Sequence, residues 1–202
     1  SQTGVSTKNA LLPTKPKAQR EADIPHWYTL RTTYGREKKA YDYLTAKGIT
    51  AFYPTTHVVK LMKGKRKVVT ESRLPNIFFA YGTEEQLQEY VYDNVNLPFL
   101  RFYYRHYHEG SKIKKTPLIV PDNQMDSLKI ICAADADNTF VSLVKVPKFE
   151  KGQLVKVIDG VFKGVIGRVA RWQGQQRVGV VVDDLVTMAT AYIPSAFLEE
   201  VI

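Results

Sequence analysis

The sequence predicts an α+β protein in two parts: an α/β sandwich, with helices packed on an antiparallel sheet, and then a small β-barrel. Three observations carry this. Over residues 26–133, runs of strand length intermix with stretches of helical period, joined by short links. Over 148–202 the texture changes to valine-rich runs punctuated by Gly152, Gly160, Gly164, Gly167, Gly174 and Gly179, as five short strands would need. Between the two, residues 135–139 are polar and mark a linker over 134–147. A chain of 202 residues can bury one or two sizeable cores.

Taken in order, residues 1–25 hold Pro13, Pro16 and Pro25 with scattered lysines and no periodicity, and read as a disordered tail. Residues 26–31 alternate and are aromatic, a first strand. Tyr34-Gly35-Arg36-Glu37 then opens a helix to about Lys47, with Ala40, Tyr41 and Leu44 as its apolar stripe and Gly48 placed to stop it. A second strand over 49–53 ends at Pro54. Next come two β-rich arms, 58–61 and 67–70, flanking Lys63-Gly64-Lys65-Arg66, whose glycine suits a hairpin turn. Residues 74–81 follow, apolar on both faces of any strand they form. Thr83-Glu84-Glu85-Gln86 has the form of a capping box and starts a helix with Leu87, Tyr90 and Val91 on one face. Residues 99–107 and 118–120 are strand-like. Pro121-Asp122 begins a helix with Met125, Leu128 and Ile131 facing inward. In the second part the expected strands are 154–158, 165–172, 178–182, 191–193 and 197–201.

The net charge of +9, from 29 basic and 20 acidic side chains, favours an acidic partner such as nucleic acid. The surplus is uneven: residues 26–132 carry 17 basic against 10 acidic side chains, residues 148–202 only 7 against 6. It is densest in the hairpin, where Lys60, Lys63, Lys65, Arg66, Lys67 and Arg73 meet one anion, Glu71. Like charges this close repel, and a polyanion compensates them; phosphate contact without base specificity is the expected mode. Cys132 is the only cysteine, which excludes an intrachain disulfide and fits a reducing cytoplasm; its apolar surroundings make it a small core residue. No run approaches the ~20 apolar residues of a membrane span, and no charged-then-apolar stretch opens the chain as a secretory leader would.

Catalytic groups do not converge, so no enzyme, cofactor or metal site is expected. His106 and His108 are two apart with only Glu109 beside them, too few ligands for a metal. The glycines of the second part match neither a dinucleotide fingerprint nor a phosphate-binding loop. Asp183-Asp184 reads as a hairpin loop rather than a carboxylate pair. In 101–108, RFYYRHYH, aromatics interleave with bases; single-strand stacking and core packing on an edge strand explain those letters equally.

Several motifs, in order, resemble one family. Trp27-Tyr28-Thr29-Leu30-Arg31, Gly35-Arg36-Glu37-Lys38-Lys39, Tyr53-Pro54-Thr55 and the strand at Pro75 are similar to the N-terminal domain of the NusG transcription-elongation family. Gly152 to Gly160, then Phe162-Lys163-Gly164 and Gly167, resembles the KOW motif of that family's SH3-like C-terminal barrel. Pro75-Asn76 and Gly64-Lys65-Arg66 resemble the operon-specific paralogue RfaH. The texture of 101–104 and 117–122 is most like the UpxY antiterminators of capsular-polysaccharide operons.

The resemblance implies a non-enzymatic, operon-specific antitermination factor with domains at 26–133 and 148–202. It would bind the clamp helices of the largest RNA polymerase subunit, bridge the DNA channel beside DNA and nascent RNA, and suppress pausing or termination. The family's hydrophobic pocket carries over to Trp27, Leu74, Pro75, Ile77 and Phe79, with Phe78 turned to the core by strand alternation. The surface by which the barrel meets a further protein carries over to Phe162 and to an exposed apolar loop over 184–189 with Leu185 and Met188. That loop has no arginine, and Val161 stands where the family often has proline. Val178 to Val182, Pro194 and the glycines favour a stable barrel over helix. Rival readings are a general elongation factor and a ribosomal or free RNA-binding KOW protein.

Overall fold

The computed structural model describes residues 23–93 and 95–202; the tail expected at the N-terminus lies outside them up to residue 22. The first half contains β1 (His26–Arg31), α1 (Glu37–Ala46), β2 (Thr50–Phe52), β3 (Thr55–Met62), β4 (Lys65–Ser72), β5 (Ile77–Gly82) and α2 (Glu84–Val91). It continues through β6 (Arg101–Phe102), β7 (Tyr104–Glu109), β8 (Lys112–Pro117), β9 (Ile119–Val120) and α3 (Asp122–Ala133). The second half holds β10 (Phe140–Ser142), α4 (Lys148–Lys151), β11 (Leu154–Val157), β12 (Ile166–Trp172), β13 (Gln175–Val182), β14 (Val186–Ala189) and β15 (Leu198–Glu200).

Local signals set the element ends. The capping box is present: Gln86 N donates to Thr83 Oγ1 at 3.2 Å and Thr83 N donates to Gln86 Oε1 at 3.0 Å. Gly48, at φ +85, follows α1 in a left-handed conformation that favours glycine. The strand expected over 74–81 starts three residues late. Leu74-Pro75-Asn76 instead form a tight turn, in which Ile77 N donates to Leu74 O at 3.0 Å and Asn76 takes φ +65.

The first sheet runs β2-β5-β1-β6 and is antiparallel, with β9 also paired to β1. Strand alternation divides its side chains between two faces. Tyr28, Leu30, Phe78 and Ala80 face one way and pack with Ala40 and Leu44 of α1 and Leu87 and Val91 of α2. Trp27, Ile77 and Phe79 face the other way, joined by Leu74 from the turn, and pack with Met125, Leu128 and Ile131 of α3. Both faces are apolar because both are covered. β6 and β9 lie end to end along one edge of β1, and at Thr29 the chain leaves that edge to form β7 and β8. From the opposite edge, after β2, it leaves to form β3 and β4.

The second sheet runs β10-β14-β13-β12-β11-β15. Its interior is lined by Val155, Val157, Val165, Val178, Val180 and Met188. Three expectations are corrected. Among the described residues the end strands β10 and β15 do not pair with each other, so the hydrogen-bond ladder is an open six-stranded sheet and not a closed barrel. The fourth strand is Val186–Ala189 rather than 191–193, because the turn at Asp183 (φ 50) starts it earlier. The stretch read as linker contributes β10, which pairs with β14.

The two sheets share one apolar cluster. Ser127 of α3 accepts a hydrogen bond from Ile166 N at 3.1 Å, and Ile130 lies against Gly164. Cys132 is half-buried beside this cluster, and burial pushes its thiol up to about 11, with Arg73 pulling the other way. At pH 8 alkylation of the folded protein should therefore run about a hundredfold slower than in the unfolded chain; equal rates followed by mass spectrometry would contradict this placement. Gly179 has a second role: any Cβ there would fall within the ring of Phe149, which packs flat on its backbone. Gly179→Ala should cost about 1–3 kcal/mol through overpacking, read as a lowered urea midpoint.

Candidate functional site

The residues expected to form an apolar seat lie on β1, on β5 and in the turn before β5, and all but one are buried. Trp27 is 7 % exposed, Leu74 0 %, Ile77 3 % and Phe79 1 %. Pro75 alone of the five is exposed, on the rim. The four buried side chains lie on one sheet face and Phe78 on the other, as alternation requires. Their cover comes from later in the chain. Lys129 of α3 sets its ammonium 4.4 Å from the centre of the Trp27 ring. A groove beside Ile77, Pro75 and Asn76 is closed on its far side by Leu143 and Leu185 of the second half. The sheet face is thus the floor of an intramolecular seam, roofed by α3 and the second sheet. Among the described residues the polar ties across the seam include, besides the bond of Ser127 with Ile166 N, Arg73 Nη2 donating to Thr139 Oγ1 at 3.0 Å and Arg105 Nε lying 3.5 Å from Asp183 Oδ2.

The basic hairpin forms as expected, with longer arms. Lys63 and Gly64 make a two-residue turn with both φ positive (51 and 73), and the register runs from Met62↔Lys65 down to Thr55↔Ser72. Cross-strand pairing places Lys60, Lys65 and Lys67 on one face, with Met62; Lys60 also pairs with Glu71. The other face carries Arg66 beside Val59, Leu61 and Val68, which are 63 %, 75 % and 70 % exposed. Lys60, Lys63, Lys65, Arg66 and Lys67 are all exposed. Arg73 is not part of this surface. It sits half-buried at the foot of the hairpin, where its guanidinium meets Thr139 and influences Cys132.

The residues assigned to a further partner are inside. Met188 lies on β14 at 0 % exposure, and Phe162 and Leu185 are each 9 % exposed. The expectation of an exposed loop over 184–189 is therefore corrected: β14 occupies most of it, and Val186, Thr187, Met188 and Ala189 are all buried. The two aspartates before it are engaged separately. Asp183 faces Arg105, while Lys145 holds Asp184 below the usual carboxylate range through a 2.8 Å ion pair. No three of His, Cys, Asp and Glu gather as a metal site among the described residues.

Sequence reasoning missed a second hairpin. β7 and β8 pair from Tyr104↔Pro117 to Glu109↔Lys112 around Gly110-Ser111. It carries Arg105, Lys112, Lys114 and Lys115 with His106 and His108. The sequence carries the signal, since Gly-Ser between two β-patterned runs is a hairpin turn, whereas the strand-like pattern of 99–107 points to a single strand.

No curated protein matches the chain. The family model described as transcription termination factor nusG matches residues 25–129, which takes in both hairpins, the first sheet and most of α3. That match covers half of the 202 residues, and the chain belongs to the NusG family of transcription elongation and antitermination factors.

Proposed function

We propose that this chain is an operon-specific antitermination factor, of the kind serving capsular-polysaccharide operons, that works in the cytoplasm without enzymatic chemistry. Its domain of residues 26–133 grips the clamp helices of RNA polymerase through Trp27, Leu74, Pro75, Ile77 and Phe79 and suppresses pausing or termination. The exposed cations of β3 and β4 lean on DNA or nascent RNA phosphates. Residues 148–202 form a KOW-type module that meets a further protein when it stands free.

One observation carries the reading. The face bearing Trp27, Ile77 and Phe79 is roofed by α3 and, beside Ile77, by Leu143 and Leu185 from the far end of the chain, whereas α1 and α2 cover only the opposite face. Lifting the second sheet would open an apolar patch rimmed by Pro75, the kind of surface that marks a protein docking site. A few anchors of ~1.5–3 kcal/mol each would dominate the contact. In the closed form, docking waits on separation of the seam.

Leu74 and Ile77 are core residues here, so alanine at either would cost ~2–5 kcal/mol of stability as well as affinity. The seam is the better handle. Leu185→Asp places a charge against the groove beside Ile77 and should raise the amount of RNA polymerase retained by the tagged full-length protein. Adding Ile77→Ala to that variant should remove the gain. Polymerase retention untouched by either change would reject the seat. Separately, Lys63→Ala, Lys65→Ala and Arg66→Ala together should reduce the log–log salt slope of nucleic-acid binding by about 2–3; an unaltered slope would remove β3 and β4 from the contact.

A further inference from the structure

Apart from Arg105, which faces Asp183 across the seam, the hairpin of β7 and β8 has no part in the function just proposed, and its construction suggests a site of its own. It leaves the edge of β1 at Thr29, where Tyr103 N donates to Thr29 O at 2.9 Å and Thr29 N donates to Leu118 O at 3.0 Å. Beyond that foot, residues 105–116 are exposed on both faces. A lone two-stranded hairpin has little stability of its own, and these side chains fill no core.

Their arrangement is regular. Tyr104, His106 and His108 stand on one face at alternate positions, about 7 Å apart along the strand. Cross-strand pairing sets Lys115 opposite His106 and Ile113, which is 67 % exposed, opposite His108. Lys115 Nζ sits 4.2 Å from the centre of the Tyr104 ring, holding a cation over an aromatic face. The opposite face carries Tyr107, 40 % exposed, across from Lys114, and Lys112 across from Glu109. Rings at that spacing are too far apart for bases stacked on one another, and suit bases splayed apart, each on its own ring. Lys115, between the rings of Tyr104 and His106, lies where a connecting phosphate would run. The rings can meet base faces only where the bases are unpaired, which excludes an intact duplex.

We propose that the hairpin Tyr104–Pro117 binds single-stranded nucleic acid, stacking bases on His106 and His108 while Lys115, on the same face, contacts the phosphate between them. It lies on the sheet edge opposite to β3 and β4, so the first sheet carries a basic arm on each side.

The test uses the full chain and fluorescence anisotropy with labelled oligothymidine, oligouridine and a mixed-sequence DNA duplex at several salt concentrations. His106→Ala with His108→Ala should weaken single-strand binding by about 30-fold or more at pH 8 while leaving the salt slope in place. His106→Phe with His108→Phe should restore binding, which also guards against a folding defect. Lys115→Ala should lower the slope by about 0.7. Unchanged single-strand affinity in the double alanine variant, or equal losses on duplex and single strand, would overturn the proposal. Retention of RNA polymerase by the same variants reports on the earlier reading independently, because neither histidine lies on the roofed sheet face.

Discussion

The alternation of side chains along β1 and β5 is the constraint on which the remaining structure depends. With period two, Leu30 and Phe78 must point away from Thr29 and Phe79, so a strand that is apolar at every position requires cover on both sides. Helices α1 and α2 meet that need on one face within the first half of the chain. On the other face α3 reaches only part of the way. Beside Ile77 the remainder is closed by Leu143 and Leu185, and one continuous apolar cluster runs from the first sheet through α3 into the second. A register slip of one residue in β5 would exchange the two sets and leave Trp27 facing the wrong roof.

The two covers differ in kind. α1 joins the sheet through short connections and the ring contact of Tyr41 with Phe78, whereas the second sheet is tied across the seam by few polar links, among them one buried serine, one arginine–threonine bond and one solvent-exposed ion pair. Apolar contact carries the seam, and apolar contact is non-directional. A second apolar surface of similar shape could compete for the same floor. On the proposed reading the apparent affinity for polymerase is the intrinsic affinity reduced by the fraction of molecules in which the seam is open.

Much of this was legible in the residues. The capping box at Thr83, the stop at Gly48, the turn at Gly64 and the inward stripe of Met125, Leu128 and Ile131 all stand as read, because each is decided by neighbours a few positions away. Failures came where the answer was non-local. Nothing within 184–189 says that Met188 will pair with Val141 and Val180 and vanish into a core. Arg73 looked like one more cation of the hairpin, yet Thr139, sixty-six residues on, turns it inward. The burial of Ile77 and Phe79 could be read as core or as seat from sequence, and the fold makes the same side chains serve as the floor of an internal seam. The open ladder between β10 and β15 was likewise beyond reach, since closure depends on strand tilt and stagger rather than on composition.

Arg105 connects these parts. It belongs to β7, yet its guanidinium is held across the seam by Asp183, so the second sheet and the second basic arm share a charge. If the seam opens, Arg105 loses that partner and the arm gains a free cation; by linkage, a phosphate that claims Arg105 weakens the seam to the same degree. The size of the effect is bounded. Arg105 is 60 % exposed and Asp183 30 %, and pairs so open to water contribute about 0–1 kcal/mol, a factor of at most about five in the opening equilibrium. Nucleic acid on that arm can therefore bias the seam without forcing it, and the larger part of any opening has to come from a surface that replaces the apolar contacts of Leu185 and its neighbours.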